Sequence, residues 1–463
     1  MLSSDYFKSL ARDVVFDLER IFPYASLLAM ETLGERLMVQ TRQQQAEMMD
    51  PSRGVVLTVF NGRHFMEAAT SDISEEGLKE MSRQLQDWGR EQGVYYDGPT
   101  IEPGEELNRD YFVPVEIYPE ALSLQEKISV CHQLKDRLHQ QDEHIVQATC
   151  QYAHVRNREL FVNRRKVLFQ DLRRTQMVAM IVMKEEDRSV YLHSGQALQG
   201  GYEKAFIPEE KLEDLVRDCR KLLQAPRLSP GYYDCVFSPE FSGMFAHEAF
   251  GHGMETDMFL KKQARGQDYL DRPVASPLVN MFDSPALPGQ AASFFFDHEG
   301  EPATETRIIE QGILKRGLTD LNSAMRLGLK RSANGRRESF ERKVYARMTN
   351  TYFGPGQDTF EKMVASIDQG FYLNHPSNGM EDPKGWGIQL EGLYAEEIRQ
   401  GKLTGRIFTP VIITGYVPDL LQSISMVGDR VEISGLGMCG KGHKEWVKVT
   451  DGGPYLKLRA RLA

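Results

Sequence analysis

The sequence predicts an α+β protein of two domains, and three observations carry that expectation. Amphipathic helical periodicity alternates with short β-forming runs over the first half. Glycine and proline become dense after residue 228, and beyond it long helical patterns are confined to the neighbourhoods of His247 and of Thr359 to Asp368. The expected architecture is an N-terminal sheet with packed helices, residues 1–228, followed by a β-rich C-terminal domain, residues 229–463, that carries one central helix.

Taken in order, Phe7, Leu10, Val14, Leu18 and Ile21 recur every three or four residues, as an amphipathic helix requires. Ser26 to Met30, Arg36 to Gln43 and Val55 to Phe60 are β-forming runs, and Gly34 and Asn61-Gly62 are expected to be the turns of an antiparallel meander. Helices are expected over Ser74 to Gln92, with Ser74 as N-cap, and over Ser123 to Gln140. Ile145 to Val190 reads as strands with a hairpin after Phe161-Val162-Asn163, and Pro208 to Leu223 as a helix. Pro226, Ser229, Pro230 and Gly231 mark the linker.

Composition narrows the function. The chain has 463 residues, 41% of them hydrophobic, enough for substantial cores, and a formal net charge of -10, which offers no long-range attraction to nucleic acid or anionic membrane. No signal-like N-terminal segment and no apolar run near the roughly 20 residues of a membrane span are visible, so a cytoplasmic protein is expected. Cys131, Cys150, Cys219, Cys235 and Cys439 are scattered and odd in number, which argues against a disulfide framework. The first four fit buried small apolar positions, while Cys439 stands in the glycine-rich stretch Gly435-Leu436-Gly437-Met438-Cys439-Gly440.

The chemistry concentrates in Phe245-Ala246-His247-Glu248-Ala249-Phe250-Gly251-His252-Gly253-Met254-Glu255. Two imidazoles suit a divalent ion, and the carboxylate between them suits a base that takes a proton from water. The histidines are five positions apart, however, which leaves them roughly 140° out of line on a regular helix. The spacing therefore predicts a π-type bulge or a break between His247 and His252, with Gly251 placed to permit it. Taken by itself, the pattern is equally compatible with a chance pair of histidines on a half-buried helix.

Ser238-Pro239 through Thr256-Asp257 resembles the signature of the TldD/PmbA family of metallopeptidases. Gly312 to Asp320 with Asn334-Gly335-Arg336-Arg337, then Arg347-Met348-Thr349-Asn350-Thr351 with Pro355-Gly356, and Met438-Cys439-Gly440-Lys441-Gly442 follow in the family's order. The resemblance is specific over about Tyr232 to Pro454, and it departs from the family at Thr256 and His443. It implies a two-domain α+β protein that dimerises around an enclosed cavity, as a homodimer or with a histidine-lacking TldE/PmbA-like relative. It also implies a third ligand, Cys439, and one Zn2+ held by His247, His252 and Cys439.

On that basis the expected activity is zinc-dependent hydrolysis of unfolded or small peptides, with Glu248 accepting a proton from a zinc-activated water and returning it to the leaving amine. Arg347, Asn350 or His443 could stabilise the oxyanion, whereas ion pairs or dimer contacts are expected for at least two of Arg336, Arg337 and Arg347. The alternative is a non-catalytic scaffold or regulatory subunit, gyrase-modulator-like, with a structural or absent metal. Ligand number separates the two, because a structural zinc takes four protein ligands and a catalytic one keeps a position open.

Overall fold

The computed structural model describes residues 2–442 and 444–463; His443, whose role the sequence leaves open, falls outside the described residues. The first half forms α1 (Asp5–Glu19), β1 (Tyr24–Gln40), β2 (Gln44–Phe60), β3 (Phe65–Thr70), α2 (Glu75–Gln92), β4 (Leu107–Phe112), α3 (Leu124–His139), β5 (Ile145–Asn163), β6 (Lys166–Glu185), β7 (Arg188–Gln199) and α4 (Glu209–Leu223). The strands make one sheet in the order β3-β2-β1-β5-β6-β4, in which β6 pairs with β4 along its first residues and with β7 along the rest.

Local chemistry sets the helix starts. Ser74 accepts from Gly77 N–H, and Ser123 forms a reciprocal capping box with Glu126; such a cap is worth about 1 kcal/mol. The apolar stripes of α1 and α2 bury against Leu27, Ala29, Val55, Leu57 and Phe169, and those of α3 and α4 against Leu37, Val39, Ala179 and Ile181. All four helices thus cover one face of the sheet. Because side chains alternate along a strand, Leu28, Met30, Phe161 and Leu168 point the other way, onto Phe296 and Phe340 of the second half.

Gly34 corrects the meander expected from sequence. It lies within the 17-residue β1 at a bulge, not at a turn, and the hairpin bend falls after Gln40. A Cβ on Gly34 would stand 2.6 Å from Met49 Sδ and 2.8 Å from the His154 carbonyl oxygen, so the glycine serves close approach between strands.

The second half opens with β8 (Gly231–Phe237) and α5 (Pro239–Ala246). Strands Gln369–Glu381, β8, Leu456–Leu462, Val411–Tyr416 and Gly387–Arg399 pair in that order, and the first also pairs with the last, so the ring closes as a small barrel. A second sheet includes Met281–Asp283, Asn350–Phe353 and Thr450–Gly453, and a separate two-stranded hairpin consists of Met438–Lys441 and Lys444–Lys448. A large apolar core runs through the barrel and α5, with Phe237, Phe241, Phe245, Phe250 and Trp386 at its centre. The architecture is the α+β arrangement expected, with its C-terminal part rich in sheet.

Candidate metal centre

Ser238 caps α5 by accepting from Phe241 N–H, and Pro239 occupies the first turn, where its missing N–H costs nothing. The helix then widens. His247–Gly251 is a π turn in which the His252 N–H reaches the His247 carbonyl, and Phe250 leaves helical geometry at φ -131°, ψ 19°. The five-residue spacing needs this turn to bring both imidazoles to one side, and their ring centroids lie 5.1 Å apart. Phe250 packs edge-on against the fully buried Trp386 at 5.3 Å, which anchors the kink. A Cβ on Gly251 would sit 2.1 Å from Met348 Sδ, so a larger residue there would push the histidines out of place.

Cys439 arrives from far along the chain, on the first strand of the separate hairpin. Its Sγ lies 3.3 Å from His252 Nε2, and the donor atoms of His247, His252 and Cys439 all fall within 4.8 Å of one another. Two ligands of a tetrahedral zinc, one nitrogen and one sulfur, stand about 3.5 Å apart, so the three side chains fit a metal ion. Burial opposes ionisation of Cys439, yet His247 and His252 pull its thiol down to about 5. The sulfur is therefore anionic at neutral pH, as a metal ligand must be.

Each imidazole has a carboxylate behind it. His252 Nδ1 faces Glu255 Oε2 at 3.5 Å, and His247 Nδ1, buried without a hydrogen-bond partner among the described residues, faces Asp451 Oδ2 at 3.9 Å. Glu255 can steady the His252 tautomer and leave its Nε2 for a metal, whereas Asp451, beyond hydrogen-bond reach, acts on His247 by charge alone. Glu255 is itself fixed. Arg347 Nε donates to its Oε1 at 3.2 Å, Lys441 Nζ lies 3.1 Å from its Oε2, and Arg347 Nη2 also donates to the Cys439 carbonyl at 2.8 Å. One fully buried guanidinium thus joins the carboxylate behind His252 to the strand that carries the sulfur.

Arg347→Met is expected to lower stability by about 1–3 kcal/mol, because it removes buried charge-assisted hydrogen bonds to Glu255 and to the Cys439 carbonyl while Lys441 still faces Glu255. It should also weaken zinc affinity by roughly 10–100-fold. Thermal unfolding and competitive zinc titration check both; a variant with unchanged affinity would separate Arg347 from the site.

Glu248 lines the same cavity of about 460 Å³ as the three donors, together with Glu240, His375, Gly379, Trp446 and Asp451. Its side chain lies over Gly379, where an added Cβ would meet Glu248 Cγ at 2.5 Å. Glu381, on the strand that contains Gly379, has both carboxylate oxygens buried without a partner among the described residues, and burial pushes it up to about 9 against the pull of His252.

One sequence expectation changes here. Arg347 and Asn350 are not free to stabilise an oxyanion, since Asn350 is fully buried and donates to the Ser284 carbonyl and to Ser293 Oγ. Thr349, Thr351 and Asn334 all donate to buried Asp283 and brace the loop beneath Arg347. Sequence reasoning does not single out Glu255 or Asp451, although Glu255 stands inside the histidine motif.

Two imidazoles, a thiolate and an adjacent carboxylate on an α+β scaffold are the equipment of a metal-dependent hydrolase. Residues 230–461 match the PmbA/TldA metallopeptidase C-terminal domain. A metalloprotease of Methanothermobacter thermautotrophicus is 30% identical over 321 residues, 68% of this chain and 69% of that protein. The zinc metalloprotease TldD homolog of Saccharolobus solfataricus is 26% identical over 418 residues, 88% of each chain. The fold is also that of TldE from Thermococcus kodakarensis, with a TM-score of 0.77 at 14% identity, covering 98% of this chain and 100% of that one. The chain belongs to the PmbA/TldD family of metallopeptidases.

Among the described residues no helix is long and apolar enough to cross a membrane.

Proposed function

We propose that this protein is a zinc metallopeptidase acting on unfolded or small peptides, with His247, His252 and Cys439 as zinc ligands and Glu248 as the base. The observation that carries the reading is the half-buried Glu248 carboxylate in the one cavity that also contains the three donors. Zinc bound by this set supplies Lewis acidity, acidifying water and polarising a peptide carbonyl. Glu248 takes a proton from the attacking water and returns it to the nitrogen of the breaking amide. Glu255 keeps His252 oriented, and Asp451 places a negative charge near His247.

Peptide placement follows from the hairpin. Met438–Lys441 pairs only with Lys444–Lys448 among the described residues, and, apart from the Cys439 carbonyl that Arg347 occupies, its other edge would pair with an extended peptide with little demand on its side chains. The reading includes an N-terminal domain of residues 1–228, a catalytic domain of residues 229–463, and a dimer around the cavity. The dimer is either a homodimer or formed with a TldE/PmbA-like relative; the shared fold with TldE supports the second arrangement.

Metal removal tests the reading. Purified protein is expected to hold one zinc per chain, to lose cleavage of unfolded peptides on chelation, and to regain it with added zinc. Chelated protein that cleaves as well as the loaded form would sink the proposal.

A further inference from the structure

A second cavity, of about 690 Å³, lies between the open face of the N-terminal sheet and the C-terminal half, and it shares Leu436, Met438 and Trp446 with the metal cavity. Three cations from distant parts of the chain meet in its wall: Arg174 on β6, Arg336 on the short strand Gly335–Arg336, and Lys448 at the end of the Cys439 hairpin. Among the described residues none of them has a carboxylate within 4.0 Å. Their neighbours in sequence are different, since Arg337 pairs with Glu67 at 2.8 Å and Arg347 with Glu255 at 3.2 Å.

The contacts these cations do make are with neutral acceptors. Arg174 donates to Asn157 Oδ1 at 2.6 Å and to the Ala291 carbonyl, and Arg336 donates to the carbonyls of Met348 and Lys448. Lys448 Nζ makes no hydrogen bond among the described residues and is not among the fully enclosed polar atoms, so it is open to the cavity. Glu159, in the same wall, bonds Gln170 and faces His298, and its charge offsets Arg174 in part, leaving Arg336 and Lys448 to face the cavity without a close carboxylate. Charge packed this way is costly: burial, then Arg347 and Arg174, bring Arg336 down to about 9, and burial, then Arg174, bring Lys448 down to about 7. Buried charges persist where an opposite charge compensates them.

We propose that Arg174, Arg336 and Lys448 form a subsite for a peptide carboxylate, which anchors the substrate on the Cys439 side of the metal cavity. Two planar guanidinium groups and one ammonium suit a carboxylate, the former by paired donors and the latter as a point charge. Met30, Met38 and Met49 line the same space, and their adaptable thioethers suit the varied side chains of a peptide. The carboxylate is either the chain terminus or an acidic side chain. The inference rests on the peptidase reading but concerns binding alone.

The test uses full-length zinc-loaded protein carrying Glu248→Gln to stop turnover. A neutral hexapeptide is offered with a free C-terminus, with an amidated C-terminus, and amidated with one internal aspartate. Binding is followed through the emission of Trp446, which walls both cavities. At least one carboxylate-bearing form is expected to bind about ten-fold more tightly than the amidated neutral form, and which one does so identifies the source. Lys448→Met should reduce the preference to less than about three-fold, and Lys448→Arg should restore it. Equal binding of the three forms, or a preference untouched by Lys448→Met, would overturn the subsite even in an active peptidase. A preference that persists in a protein unable to cleave peptides would leave the subsite standing and remove the peptidase reading instead.

Discussion

Replacing Cys439 with alanine is expected to remove zinc and peptidase activity together. The sulfur is the one donor of the three that does not come from the segment His247–His252, and it is also the one anionic donor, held at about 5 by the imidazoles it faces. Without it, two histidines would have to retain a divalent ion on their own. Loss of a supporting partner behind a ligand already costs roughly 10–100-fold in metal affinity, so loss of the ligand should exceed about 10²-fold and leave less than a tenth of the zinc bound. Elemental analysis and kcat/KM on unfolded peptides check this. Cys235→Ala is the control: that thiol is fully buried in the barrel, pushed up by burial, and its loss should leave zinc content unchanged. Full zinc occupancy in the Cys439 variant would contradict the ligand assignment.

Glu248→Gln should separate metal from chemistry. The amide keeps the shape that packs over Gly379 but cannot accept a proton, so zinc content and thermal stability should stay near wild type while kcat falls by about 10²–10⁴-fold. A variant with kcat within a factor of a few of wild type would remove Glu248 from the proton transfer, whatever its effect on KM.

The parts of this molecule legible in sequence are those whose cause is local. Ser74 and Ser123 announce their helices because a cap and the turn it serves are only three residues apart. The distortion at His247 follows from arithmetic on one helix turn and a nearby glycine. Cys439 could be joined to the histidines only through the family resemblance, since nothing in residues 247–252 says which distant strand will face them. Gly34 shows the opposite difficulty. A glycine at a bulge and a glycine at a turn look alike in one chain, and the contact with Met49 that distinguishes them is made across the hairpin.

Burial was the other missing quantity. Asn350 is polar and stands in a motif, which makes it a candidate oxyanion donor, but its amide is spent on Ser284 and Ser293 inside the core. For Arg347 the sequence leaves an oxyanion role, an ion pair and a dimer contact open; the structure makes it an ion pair, directly behind a proposed ligand. Arg174 carries no sequence signal at all, because its meaning depends on two cations brought to it from other strands.

The strand Leu456–Leu462 occupies the middle of the closed barrel, between β8 and Val411–Tyr416, and β8 leads straight into α5. During ribosomal synthesis β8 must therefore wait, with one edge open, until everything between Phe237 and Leu456 has been made. Pairing over so long a separation is slow to form and exposes unpaired backbone meanwhile. The same ordering ties the π turn to the end of the chain: a half-made polypeptide has no complete barrel beneath His247 and His252, and Cys439 has not yet been made.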